Sequence, residues 1–141
     1  MRYVILSALG FVCCLQVYCA MATSDRGFDE HLAICVDRLK VDKDIIDTHF
    51  DKAFHLPTGN ENLNNVVRCV GTDSGLVDAD GKYNEALMKI HIMKNVIPLT
   101  GKTGTEAVAD KAVEECKHHT NGKDRIINLH NCIIDVIHAS V

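Results

Sequence analysis

Once a cleavable leader is set aside, the chain keeps four cysteines, Cys35, Cys69, Cys116 and Cys132, and an even set in an oxidising compartment reads as two disulfides. The leader is read from residues 1–22. Met1 and Arg2 give a positive start, Tyr3 to Val17 is apolar apart from Ser7 and Gln16, and Ala20-Met21-Ala22 supplies the small residues of a cleavage site. That apolar run is too short to span a bilayer comfortably, and no second long one follows, so the expected product is secreted and soluble. Cleavage after Ala22 removes Cys13, Cys14 and Cys19 and leaves residues 23–141 as one domain. The intervals between the remaining cysteines hold 33, 46 and 15 residues, which alone allow three pairings.

The apolar positions of the mature chain recur at helical spacing. Phe28, Leu32, Cys35 and Leu39 share one helix face, and a second segment after Asp42 carries Ile45, Ile46, Phe50 and Phe54 before Pro57 breaks it. Leu63, Val66, Val67 and Val70 make a third face that includes Cys69 in its helix, ended by Gly71 to Gly75. After an Asp78-Ala79-Asp80-Gly81 turn, Tyr83, Leu87, Ile90 and Ile97 line a fourth helix ahead of Pro98. Thr103 and Glu106 have capping-box spacing for a fifth helix through Val108, Ala112 and Cys116. The sixth, about Asp124 to Ala139, is apolar nearly all round and is expected to run through the middle of an all-α bundle.

Charge and motifs then narrow the function classes. A formal net charge of −4 provides no basic footprint for nucleic acid or anionic membranes. Cys116-x-His118 with His130-x-Cys132 has zinc-like donors, but disulfide formation competes for both sulfurs in a secreted chain. Aligning Gly81 to the sixth position of a calcium loop puts Leu76 first and Leu87 twelfth, where oxygen ligands are needed. No G-x-S-x-G nucleophile elbow occurs. Neither an enzyme nor a metal or other cofactor is expected.

The leader, the six helices and the stretch from Cys69 to Tyr83 together resemble the insect odorant-binding proteins, the pheromone-binding and general odorant-binding superfamily. In that family a Gly-Leu-acid-x-acid-Gly turn follows the third cysteine, and Gly75-Leu76-Val77-Asp78-Ala79-Asp80-Gly81 corresponds to it here. Six cysteines are usual; the second and fifth positions hold Asn65 and Lys123 in this chain, so both partners of one disulfide are missing together, as in the four-cysteine subgroup. The resemblance implies the pairs Cys35 with Cys69 and Cys116 with Cys132. Without the third bond, only packing is expected to tie the third helix to the start of the sixth.

An apolar helix among amphipathic ones either fills a core or borders a cavity, and patterning does not separate the two. The resemblance implies a cavity for a small hydrophobic ligand such as an odorant, pheromone or lipid-like molecule. Its expected walls are Leu32, Phe50, Phe54, Val66, Val70, Tyr83, Leu87, Met88, His91, Val108, Ala112, Ile127, Ile133, Ile134 and Ile137. Tyr83 and His91 are the candidate polar handles. His118, His119, His130 and His138 form a candidate pH-sensitive release group near the last two helices. The expected partners are that ligand and a membrane receptor, with the chain a monomer or weak dimer and no nucleic acid involved. Two rivals stay open: a solid helical factor acting through its surface on a protein receptor, and an amine carrier using Asp37, Asp47 or Glu85.

Overall fold

The computed structural model describes residues 27–141, so the expected leader, with Cys13, Cys14 and Cys19, lies outside the described residues. Six helical segments follow one another: α1 Phe28–Leu39, α2 Ile45–His49, α3 Glu61–Asp73, α4 beginning at Glu85–His91, α5 Glu106–Cys116 and α6 Arg125–Ser140. Among the described residues the β-pairing is an isolated antiparallel bridge, Val77 to Tyr83, across the Asp78 turn. There the Asp78 carboxylate accepts the backbone N–H groups of Asp80 and Lys82 at 2.9 and 2.8 Å. Gly81 takes the left-handed conformation the turn needs, at φ +81°.

Local chemistry explains most helix boundaries. Asn60 and Asn84 cap α3 and α4, each side-chain oxygen accepting an N–H three residues on, from Leu63 and Leu87. The expected capping box at Thr103 does not form; Thr105 is the residue preceding α5, and its side chain makes no capping bond. The second segment is also shorter than expected. It stops at His49 because the Asp51 carboxylate accepts the N–H groups of Ala53 and His55, a local turn that competes with helix. Phe50 and Phe54 therefore sit on an irregular segment, with Phe54 at φ 67°.

Helix α4 ends at Leu99, next to Pro98 as expected, but widens before it. Proline has no N–H and its ring crowds the carbonyl four residues back, so the backbone passes through a π-helical stretch, Ile92–Val96, before the final turn Ile97–Leu99. The Ile97 N–H accordingly reaches the carbonyl of Ile92.

Packing forms two apolar clusters that share α6. Cys35, Val36, Leu63, Val66, Val67 and Val70 from α1 and α3 enclose Ile126 and Ile127 at its beginning. Met88, Ile92, Ala109, Ala112 and Val113 from α4 and α5 enclose Leu129, Ile133, Ile134 and Ile137 further along. The apolar circumference of α6 is thus used on several sides, as its sequence leads one to expect. Gly71 allows the close approach of α3 to α6, since a Cβ there would stand 3.3 Å from both Ile126 and Val77.

Both disulfides are present, Cys35 with Cys69 between α1 and α3 and Cys116 with Cys132 between α5 and α6. Contrary to the expectation of packing alone, α3 is also joined to the start of α6 by polar contacts. The Asp124 carboxylate accepts from the Gly59 N–H at 2.9 Å and from the buried Asn64 amide. The Asn64–Asp124 contact lies one residue from positions 65 and 123, and both bonds lower the carboxyl pKa of Asp124, the Gly59 bond foremost. No helix among the described residues is long and apolar enough to cross a membrane.

Candidate functional site

The fifteen residues expected to face a ligand divide by position. Val66, Val70 and Ile127 are buried in the α1–α3 cluster, and Met88, Ala112, Ile133, Ile134 and Ile137 in the α4–α5–α6 cluster. Leu32, Phe50, Phe54, Tyr83 and Val108 keep some accessible surface at the margins of these clusters. Leu87, also partly accessible, lies beside Gly75. His91 is partly accessible too, yet surrounding protein desolvates it strongly.

Partly accessible aromatic side chains meet His91 and His130. The Phe28 ring of α1 lies 5.3 Å from the His91 ring of α4, tilted by 38°. His130 of α6 lies 5.7 Å from Phe50, which meets Phe54 edge-on at 6.0 Å. Burial pushes the His91 imidazole down to about 4, and the nearby charge of His130 adds to the shift, so the two imidazoles sense each other. His130 is itself lowered, chiefly by burial, against the opposing effect of its bond to the Phe54 carbonyl. Four segments of the chain thus contribute two groups of rings, Phe28 with His91 and Phe50 and Phe54 with His130, which together we treat as one aromatic patch. Such a surface takes apolar or aromatic ligand groups and supplies one or two hydrogen bonds.

Two members of this patch, Phe28 and His130, were not among the expected walls. The signal for His130 is its spacing: Ile126, His130 and Ile134 are four residues apart on one face of α6. Phe28 begins the apolar face of α1 that also carries Leu32, Cys35 and Leu39.

The two candidate polar handles differ. The Tyr83 hydroxyl donates to the His119 carbonyl at 2.6 Å, and burial raises its pKa. His91 uses only Nδ1, 3.1 Å from the Asn95 amide nitrogen. The four histidines of the candidate release group also separate. His118 and His119 stack on each other at 4.7 Å, whereas His130 and His138 each donate from Nε2 to a carbonyl of the irregular segment, Phe54 at 2.9 Å and Ala53 at 3.2 Å. Asn131 completes that attachment, accepting the Leu56 N–H and donating to the Leu56 carbonyl, both at 2.9 Å. His55 bonds back to Asp135 of α6 at 2.8 Å. Asp37, Asp47 and Glu85 are all exposed, where they offer an amine no buried counter-charge.

Two surface grooves lie elsewhere. One, of about 660 Å³ between α1 and α3, is lined by Arg38, Leu39, Asn65, Arg68, Cys69, Thr72 and Asp73. Its acid is already engaged: Asp73 meets His31 at 2.7 Å and Arg38 at 3.5 Å, contacts that lower its pKa, with His31 contributing most. The other, of about 310 Å³ between α4 and α5, is lined by Glu85, Ala86, Lys89, Asp110, Val113 and Glu114, and Lys89 bridges Glu106 and Asp110 at 2.6 Å each. None of the fifteen expected residues lines either groove.

Comparison with known families gives one match. The PBP/GOBP family model covers residues 20–135, most of the chain. No curated protein and no solved structure matched.

Proposed function

The chain belongs to the PBP/GOBP family, within the insect odorant-binding superfamily, and we propose that it is a secreted carrier holding a small hydrophobic ligand among Phe28, Phe50, Phe54, His91 and His130. Proteins of this family are small carriers of odorants and pheromones and not enzymes. In this reading residues 1–22 are a signal peptide, residues 23–141 are the carrier domain, and the four-cysteine chain is an insect protein of the subgroup lacking one family disulfide.

One observation carries the placement of the site. His91 is surrounded by protein and desolvated, yet keeps accessible surface, which is how a side chain at the wall of a recess behaves. Aromatic neighbours then supply the apolar contact, at about 25 cal/mol per Å² of ligand surface removed from water. Met93, beside the same core, adds an adaptable thioether. The remaining expected residues, such as Ile133 and Ile134, support the wall from behind.

The test is binding of the apolar probe N-phenyl-1-naphthylamine to the oxidised protein, followed by displacement with long-chain alcohols and terpenoids. Saturable one-to-one binding at micromolar levels is the expected result. A folded protein with both disulfides that binds neither probe nor competitor would favour the surface-acting factor instead.

A further inference from the structure

We infer that His91 is the specificity-determining residue of this site, its Nε2–H selecting ligands that carry a neutral oxygen acceptor over the carboxylate or ammonium compound with the same carbon skeleton. This rests on the carrier reading and adds the ligand's chemical class to it.

The first step is the tautomer. The Asn95 amide nitrogen faces His91 Nδ1 at 3.1 Å, and an amide nitrogen only donates. Nδ1 is therefore the acceptor, and the neutral ring carries its proton on Nε2. That N–H has no hydrogen-bond partner among the described residues, since the Asn95 contact is the one the ring makes. It is not shielded from water, so a ligand acceptor would take the place of water at this donor.

The second step is the surroundings. Phe28 covers one side of the ring at 5.3 Å. His130, the nearby imidazole, has spent its Nε2–H on the Phe54 carbonyl. No ionised side chain forms an ion pair with His91 or His130 among the described residues; Asp51 of the irregular segment and Asp135 of α6 are engaged by His55. A carboxylate ligand would thus enter without a counter-charge, because desolvation keeps His91 neutral down to about pH 4. An ammonium ligand would meet neither an anion nor, at His91, an acceptor. Unpaired charge in such surroundings is strongly disfavoured. A hydroxyl, carbonyl or ester oxygen satisfies the donor and brings no charge.

A matched series decides it: 4-phenylbutan-1-ol, 4-phenylbutanoate, 4-phenylbutylamine and butylbenzene, each displacing N-phenyl-1-naphthylamine from the oxidised protein at pH 7.5. The alcohol is expected to bind about tenfold tighter than either charged analogue. His91→Phe, which keeps an aromatic ring and removes the N–H, is expected to lower the affinity for the alcohol relative to that for butylbenzene by roughly fivefold. Equal or tighter binding of the carboxylate, or a relative alcohol affinity indifferent to the substitution, overturns the inference while butylbenzene binding upholds the carrier reading. If neither probe nor butylbenzene binds the wild type, the carrier reading itself fails and the inference with it. Should His91→Phe not fold, wild-type selectivity still discriminates, and so does the ring ¹⁵N spectrum of His91. A proton found on Nδ1 contradicts the proposal.

Discussion

Helix α6 is held on two sides by different means. Towards α5 it is fixed by the Cys116–Cys132 bond and by close-packed Ala112, Val113, Ile133, Ile134 and Ile137. Towards residues 51–57 it is held by hydrogen bonds, from His130, Asn131 and His138 to backbone groups and from His55 to Asp135. The first attachment is apolar and covalent, so it opens only with global unfolding. The second consists of polar contacts on an irregular segment, the kind that opens locally at lower free energy. Phe50 and Phe54 come from the segment of that second attachment, so the residues proposed to meet a ligand sit beside the attachment that opens more readily.

The largest expected effect comes from the scaffold side. Replacing Cys116 and Cys132 together by serine should cost about 3 kcal/mol, from the entropy of the loop they close, and lower the melting temperature by roughly 10 °C. Calorimetry checks this; a loss no greater than that from a polar-side substitution would erase the distinction. On the polar side, Asn131→Ala removes both bonds to Leu56 and should cost about 2 kcal/mol. It should also speed hydrogen exchange at the Leu56 amide far more than at α5 amides. Uniform acceleration would mean that the segment and the scaffold open as one unit.

Acid should act mainly through the imidazoles of the patch. His91 has an ordinary value of 6.5 and is held to about 4 in the folded protein by desolvation, then by the charge of His130. The unfolded chain therefore binds the proton first, so this contribution is complete above pH 6.5 and is lost as pH falls from 6.5 towards 4. His130 shifts in the same direction. Asp51, Asp73 and Asp124 are lowered from 3.8 and act below that window. The melting temperature should fall between pH 7 and 4.5, and fall less in His91→Phe. An identical fall in both proteins would place the acid sensitivity elsewhere. The smallest effect, a small fall in the denaturation midpoint, is expected for Asp124→Ala, which releases the Gly59 N–H and the Asn64 amide. Chemical denaturation measures it, and an unchanged midpoint would show that packing alone joins α3 to α6.

The helices were legible where one periodicity dominated. The all-round apolar pattern of α6 marked it as central, and the faces of α1 and α3 located Cys35 and Cys69. The disulfide pairing was legible only through the resemblance, because the intervals alone allow three arrangements. What the sequence hid depends on contacts between distant residues or on close local competition. Asp51 turns the chain away from helix and leaves Phe50 and Phe54 on a loop, and Tyr83 gives its hydroxyl to a carbonyl 36 residues away. At α5, Thr105 lies nearer the helix than Thr103, so the expected box does not form. Near the proposed site, Phe50 meets Phe54 and His130, and His91 meets Phe28, and the contacts of Phe28 and His130 are between segments that periodicity does not relate.

The most direct test is to map a saturating neutral ligand, 4-phenylbutan-1-ol, onto the oxidised protein by chemical-shift perturbation. Shifts centred on Phe28, Phe50, Phe54, His91 and His130 are the expected result. Shifts centred instead on the Arg38 and Arg68 groove, with the His91 ring unmoved, would contradict a ligand site on the polar side of α6.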